Sequence, residues 1–155
     1  MRLRIVALSH RTPAWATAAY SEYAKRLPPD WPLDLVELKP QARDRGRSTA
    51  QVLAAEAQRI ATVCTGYRSI ALDERGASWT TRQLADRLRR HRDNGEDLAF
   101  VIGSADGLHD DIKRAASALF SLSALTLPHI VCRVILAEQL YRAYSLATGH
   151  PYHRD

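Results

Sequence analysis

The sequence predicts an α/β domain built on a mainly parallel sheet with helices on both faces. Short apolar runs alternate with longer amphipathic segments about five times along the chain. This alternation is typical of parallel sheets, in which a helix connects each strand to the next. With 155 residues, the chain has the length of one ordinary domain, and no repeat or long linker divides it. We therefore predict a single domain over residues 1–155.

Each element has a local reason in the sequence. The predicted strands are the apolar or alternating runs at residues 3–8, 32–39, 69–73, 98–103 and 122–127. The predicted helices are the amphipathic segments at residues 13–27, 48–64, 80–93, 110–120 and 130–148. Thr12 and Pro13 are typical of a helix start, and Ser48 is a plausible N-cap for the second helix.

Composition excludes several classes of protein. A hydrophobic content of 46% and a charged content of 25% are those of a globular chain rather than a disordered one. No run reaches the roughly 18 apolar residues that a membrane span needs, and the apolar stretch near the start is too short for a signal peptide. Cys64 and Cys132 stand far apart without a CxxC motif, so we expect two buried thiols in a cytoplasmic protein with no membrane partner.

The charge balance favours a nucleic-acid partner only slightly. The net charge is +5 and most basic residues are arginine; arginine binds phosphate well, but a GC-rich genome also encodes many arginines. Residues 39–47 concentrate this charge in Lys39, Arg43, Arg45 and Arg47, with Pro40 and Gly46 to prevent regular structure. This segment is either a solvated loop or an arm that binds RNA phosphates.

Three predicted strand ends could form a ligand site, because parallel sheets bind ligands beyond the carboxyl ends of their strands. The first is Leu72, which Asp73 and Glu74 follow. The second runs from Gly103 to Gly107, where glycine lets the backbone approach a ligand closely. The third is Leu122 to Leu127, whose backbone groups could hold an adenine or an amino acid. Each signal is weak by itself.

Other chemistries find no support. The six histidines form no HExxH motif, and His150 and His153 lack a nearby thiol or carboxylate partner, so we expect no metal. No Gly-x-Ser-x-Gly elbow occurs. The final helix is apolar around much of its girth, from Ile130 to Tyr144, which favours a helix shared with a second subunit. Glu138 and Arg142 should pair on its remaining side.

The last third of the chain resembles one family specifically. The stretches "LSALTLPH" and "AEQLYRAYS" and the terminal "HPYHRD" resemble the RlmH family of ribosomal RNA methyltransferases, which belongs to the SPOUT superfamily. The likeness extends over essentially the whole chain. It implies a homodimer with a deep C-terminal trefoil knot that holds S-adenosylmethionine. It also implies methylation of N3 of a pseudouridine in large-subunit 23S rRNA on the assembled ribosome.

The resemblance also implies roles for individual residues. Cofactor contacts fall on one residue at each of two strand ends and on a six-residue segment: Leu72, Gly103, Leu122, Ser123, Ala124, Leu125, Thr126 and Leu127. Tyr152, His153 and Arg154 match positions for substrate contact or catalysis, and His129 lies beside the cofactor segment. The family usually has Gly-Gly-Pro-Glu-Gly where this chain has Gly103-Ser104-Ala105-Asp106-Gly107.

The chemistry requires a bound methyl donor and a deprotonated acceptor nitrogen. Arg154 near the base carbonyls would favour the anion, while His153, Tyr152 or His129 could accept the proton, or bulk water could suffice. Two alternatives stay open: a SPOUT methyltransferase of another RNA such as a tRNA, and a non-catalytic RNA-binding or ribosome-binding module. The basic residues Arg43, Arg45, Arg47 and Arg154 are the expected RNA contacts.

Overall fold

The computed structural model describes residues 1–43 and 46–152. Over these residues the chain forms five strands and five helices. The strands are β1 (Leu3–Leu8), β2 (Leu33–Leu38), β3 (Arg68–Ser78), β4 (Leu98–Ile102) and β5 (Ala118–Ser121). The helices are α1 (Ala14–Ala24), α2 (Thr49–Val63), α3 (Thr81–Asp93), α4 (Asp110–Ala115) and α5 (His129–Thr148).

The strands form one sheet in the order β2-β1-β4-β3-β5, and every neighbouring pair is parallel. The predicted α/β class is therefore confirmed. All the carboxyl ends of the strands lie at one edge of the sheet, as the prediction of a ligand site requires. The trefoil knot implied by the resemblance stays a prediction.

Two apolar layers cover the sheet. Residues of α1, α3 and α5 pack with Ile5 and Phe100 on one face, while residues of α2 and α4 pack with Val6 and Val101 on the other. Ile5 and Val6 point to opposite faces because side chains alternate along a strand. The central strand β4 is buried over its whole length, which explains why its sequence is a continuous apolar run.

Helix starts follow the chemistry of their capping residues. Ser48 and Gln51 form a capping box at the start of α2, so the predicted N-cap is confirmed. Thr80 and Gln83 form a second capping box at α3. Pro13 precedes α1 without a side-chain cap, as its fixed φ allows.

The fifth strand was predicted at the wrong place. Residues 110–120 do not form one helix: α4 ends at Ala115, and residues 118–121 form β5 against β3. Gly76 permits this pairing, because a Cβ there would lie 2.6 Å from the backbone nitrogen of Phe120. Strand β3 bulges between Leu72 and Ala77 and resumes pairing, so it is longer than predicted. Residues 122–127 form a loop instead of a strand.

Both cysteines are free thiols, and both are half-buried, which is less burial than the prediction of buried thiols implies. They belong to the two opposite faces of the sheet, since Cys132 packs against one apolar layer and Cys64 against the other. Burial raises the pKa of the Cys64 thiol to about 11, which makes it a poor nucleophile.

Candidate active site

A cavity of about 590 Å³ opens at the carboxyl edge of the sheet, within the size range of small-molecule sites. Its wall consists of residues 72–75, 102–107 and 120–129 without Ala124, together with Lys113 and Cys132. The structure thus brings together the three segments that were predicted to be strand ends. Of the eight cofactor contacts predicted, the wall contains Leu72, Gly103, Leu122, Ser123, Leu125, Thr126 and Leu127.

The turn after β4 approaches the cavity with its backbone. The Gly107 amide donates to the Ser104 carbonyl at 2.9 Å, and Gly107 has a φ of 82°. A Cβ on Gly103 would lie 2.5 Å from the Gly107 carbonyl oxygen, so this position requires glycine. No non-glycine residue in the described ranges has a positive φ, so Ser104 and Ala105 occupy the turn without backbone strain.

The loop between β5 and α5 offers polar backbone groups beside apolar side chains. Within the described part of the chain, the only amide of residues 122–127 with a recorded hydrogen bond is that of Leu125, which donates to Ser123 Oγ at 2.9 Å. The Leu125 side chain is 75% exposed. Free donors and acceptors next to apolar surface are suited to the edge and faces of a heterocyclic base.

An ion pair stands in the cavity wall at Asp73, directly after the first candidate strand end. Lys113 Nζ lies 2.7 Å from Asp73 Oδ2, and the bond from Lys113 holds the pKa of Asp73 below its usual value. The site therefore contains a carboxylate that is ionised at neutral pH and able to accept hydrogen bonds from hydroxyl or ammonium groups. Lys113 could have been noticed in the sequence as one of only three lysines.

His129 begins α5 and lines the cavity. Desolvation, followed by the positive charges of Arg133 and His10, lowers the pKa of its imidazole below the ordinary value. A neutral imidazole at physiological pH is able to accept a proton.

Tyr152, the last described residue of the terminal segment, is not among the residues that line the cavity. The Tyr152 hydroxyl donates to Glu138 Oε1 at 3.3 Å, and the ring packs 4.6 Å from that of Tyr141. Glu138 and His129 are nine residues apart on α5, about 14 Å along the helix axis. Thus Tyr152 and His129, both predicted to be catalytic, are not brought together within one chain. His153 and Arg154 lie outside the described residues.

Residues 39–43 of the basic loop, which spans residues 39–47, contact the glycine turn of the cavity wall, residues 103–107. Arg43 forms an ion pair with Asp106, and the buried carboxylate of Glu56 contacts both segments. Arg47 is exposed, and Arg45 lies outside the described residues. Sequence reasoning missed Glu56, although it follows Val52 and precedes Ile60 at four-residue spacing, which marks it as a charge on the buried stripe of α2.

Residues 1–43 and 46–152 offer neither a metal centre nor a membrane-spanning helix. No group of three or more potential ligands from His, Cys, Asp and Glu occurs there. None of the helices in these ranges combines the length and apolarity that crossing a bilayer requires.

Comparison with known proteins agrees with this geometry. A family model described as "Predicted SPOUT methyltransferase" matches residues 1–153. The chain is 51% identical to "Ribosomal RNA large subunit methyltransferase H" of Burkholderia cenocepacia (strain HI2424) over 155 residues, with 99% of each chain covered. It is 50% identical to the protein of the same name from Paraburkholderia phymatum, with the same coverage.

Among solved structures, a "probable methylase family protein" from Haemophilus influenzae Rd KW20 has a similar fold, with a TM-score of 0.60. The match covers 99% of this chain and 70% of that one at 13% identity, and so concerns the fold alone. Together, the family model and the full-length relatives show that the chain belongs to the SPOUT methyltransferase family.

Proposed function

We propose that the protein transfers a methyl group from S-adenosylmethionine to N3 of a pseudouridine in large-subunit 23S rRNA on the assembled ribosome, in the cytoplasm. The observation that carries the proposal is the cavity, which collects seven of the eight residues expected to contact the cofactor and places His129 beside them. The names of the full-length relatives support a large-subunit rRNA substrate.

The cavity wall fits this cofactor by its chemistry. The amides of residues 122–127 other than that of Leu125 suit an adenine edge, and Gly103 occupies a position where a Cβ would collide with the Gly107 carbonyl. Asp73 supplies a carboxylate for ribose hydroxyls or for the positively charged methionine part. When bound, S-adenosylmethionine supplies an activated methyl group on a positively charged sulfur.

The protein has two tasks: alignment of donor with acceptor and removal of the N3 proton. The residues of the cavity wall would hold the cofactor so that its methyl group faces N3. Alignment of this kind supplies several kcal/mol, about 7–11 in favourable intramolecular cases. The neutral His129 imidazole accepts the N3 proton, and the positive N-terminus of α5 favours the anion that results.

The terminal segment acts in this proposal across a homodimer interface. Tyr152 is held on α5 far from the cavity of its own chain, while Ile130, Val131, Val134 and Ile135 remain half-exposed near the cavity end of the helix. Burying these apolar residues against a second copy would bring its Tyr152, His153 and Arg154 to the cavity. Arg154 then stabilises the anionic base, and Tyr152 and His153 contact it.

The basic loop supplies the RNA contacts. Arg43 is exposed beside the cavity wall and Arg47 is exposed in the same loop, and with Arg45 and Arg154 they neutralise rRNA phosphates. Phosphate contacts fix the position of the protein without reading the sequence. The shape of the assembled ribosome then selects the nucleotide, because phosphate contacts carry no sequence information.

The test is transfer of labelled methyl from S-adenosylmethionine to ribosomes that lack the modification, with free rRNA and tRNA in parallel. We expect label on assembled ribosomes, mapped to N3 of a pseudouridine. Label on tRNA alone would establish the alternative substrate. Cofactor binding without transfer to any RNA, or no cofactor binding at all, would contradict the proposal and favour a non-catalytic RNA-binding module.

A further inference from the structure

Glu56 is a buried carboxylate that two different loops share. Its side chain on α2 is 2% exposed. Oε1 accepts a hydrogen bond from the backbone amide of Gln41 in the basic loop at 2.9 Å. Oε2 accepts from the Ser104 hydroxyl in the glycine turn at 3.3 Å. The two oxygens of one carboxylate thus connect the segment that carries the RNA-binding arginines to the segment that lines the cavity.

Two further contacts fix the same arrangement. Arg43 in the basic loop pairs with Asp106 in the glycine turn. Arg59 of α2 donates to the Lys39 carbonyl at 2.7 Å, at the start of the basic loop. The Arg43–Asp106 ion pair therefore holds residues 39–43 of the basic loop against the cavity wall, and the Arg59 hydrogen bond holds them against α2. The two contacts involve different residues.

Burial makes the two loops depend on each other. A carboxylate removed from water is costly unless hydrogen bonds satisfy it. If either loop moves away, Glu56 loses one of its two hydrogen-bond donors while its carboxylate stays buried. The arrangement with both loops in place is therefore favoured over one with a single loop in place. A ligand that orders one loop consequently favours the ordered position of the other.

We infer that Glu56 is a positioning residue that couples cofactor binding in the cavity to rRNA binding by the basic loop. The inference rests on the proposed function. The coupling is positive, because Arg43 can hold Asp106 and a phosphate together: its guanidinium has five N–H donors, and its side chain is 65% exposed. By linkage, bound rRNA strengthens cofactor binding by the same factor as bound cofactor strengthens rRNA binding.

The experiment measures the dissociation constant of S-adenosylhomocysteine for the full-length protein, first alone and then with saturating unmodified ribosomes. The coupling factor is the ratio of the two constants, and the reciprocal titration of ribosomes with and without S-adenosylhomocysteine must give the same factor. We expect wild-type protein to give a factor of about 5 or more, as is usual for coupled sites. Each coupling factor compares two dissociation constants of the same variant. A change in that variant's own cofactor affinity therefore cancels and does not affect the comparison between variants.

Four variants locate the coupling. Ser104→Ala and Glu56→Ala each remove a shared hydrogen bond and should reduce the factor toward 1. Glu56→Gln should retain it, since the amide oxygen accepts from Gln41 and the amide NH₂ donates to the Ser104 hydroxyl. Ser121→Ala is the matched control: Ser121 also lines the cavity, but its hydroxyl donates to the Ser123 carbonyl and not to Glu56. It should keep the wild-type factor.

Arg43 and Arg47 give a second matched pair, because each contributes one positive charge to the basic loop but only Arg43 contacts the glycine turn in the described structure. Both Arg43→Ala and Arg47→Ala should weaken ribosome binding, and only Arg43→Ala should reduce the factor. If wild-type protein binds both ligands with a coupling factor of 1, the inference is overturned but the proposed function is not. The same holds if Ser104→Ala keeps the full wild-type factor. Failure of wild-type protein to bind cofactor or ribosomes overturns the proposed function and, with it, the inference.

Discussion

Replacing Glu37 with glutamine should destabilise the protein far more than its exposed position suggests. Glu37 lies at the carboxyl end of β2, and its side chain is 43% exposed. Its partner Arg133 is fully buried and donates from Nη1 to Glu37 Oε1 at 2.5 Å and to Thr12 Oγ1 at 2.8 Å. Arg133 Nε and Nη2 have no hydrogen-bond partner in the described structure. Glu37 is therefore the carboxylate that compensates a buried positive charge.

The expected loss follows from the burial of the cation. Removing one partner of a fully buried ion pair costs about 3–5 kcal/mol. Water reaches Glu37, and glutamine keeps one acceptor oxygen, so we expect about 1.5–3 kcal/mol, the range of a hydrogen bond to a charged group. For a chain of this length, that loss lowers the melting temperature by about 3–12 °C.

The assay is thermal unfolding at pH 7, with Glu22→Gln as the matched control. The Glu22 side chain is 44% exposed, almost the same as Glu37, but its partners Lys25 and Arg26, just after α1, are themselves exposed. Because exposed ion pairs contribute little to stability, we expect the melting temperature to change by about 2 °C or less there. If both variants shift the melting temperature equally, burial of Arg133 does not determine the stability of the pair, and the reasoning is refuted.

The pH dependence supplies an independent check on the sign. The Thr12 hydroxyl, followed by Arg133, holds the pKa of Glu37 below its usual value of 4.5. A carboxylate with a lowered pKa stabilises the folded state above the unfolded pKa and loses that contribution as the pH falls through the folded value. The difference between wild-type protein and Glu37→Gln should therefore be complete at pH 7 and should shrink below about pH 4.5.

Three further predictions concern the site. Gly103→Ala should raise the dissociation constant of S-adenosylhomocysteine about tenfold or more, because the new Cβ meets the Gly107 carbonyl; unchanged affinity in calorimetry would contradict this. His129→Asn should slow single-turnover transfer about 100-fold or more and remove the rise in rate with pH, which in wild-type protein should be centred below pH 6.5; an unaltered profile would exclude His129 as the base. Deletion of residues 150–155 should abolish transfer but leave cofactor binding, and wild-type transfer by the truncated protein would disprove a role for this segment.

Local pattern was sufficient where local chemistry decides the structure. Ser48 caps α2 as its side chain and Gln51 indicate, and the continuous apolar run of β4 becomes the buried centre of the sheet. Glu138 and Arg142, four residues apart on one helix face, pair at 2.6 Å as predicted. In each case the interacting groups lie within one helical turn or one strand, so their geometry follows from the backbone periodicity.

The structure of segments that depend on distant partners could not be predicted from local pattern. The run Leu122 to Leu127 is apolar enough for a strand, but residues 118–121 pair with β3 at that position. The run becomes instead the loop that lines the cavity and leads to α5. Its backbone groups are available to a ligand for that reason, which sequence periodicity does not reveal.

The sequence by itself determined the α/β class, the parallel sheet and the three segments from which the cavity wall is built, because these follow from hydrophobic periodicity and from the rule that parallel strands share one carboxyl edge. Only the tertiary structure decided that Glu56 joins two loops, that Arg133 is a buried cation and that Tyr152 packs away from His129. These contacts join residues between 14 and 121 positions apart. They also keep Tyr152 apart from His129, although the resemblance groups these two residues together. Long-range packing sets them, and no local pattern in the chain encodes it.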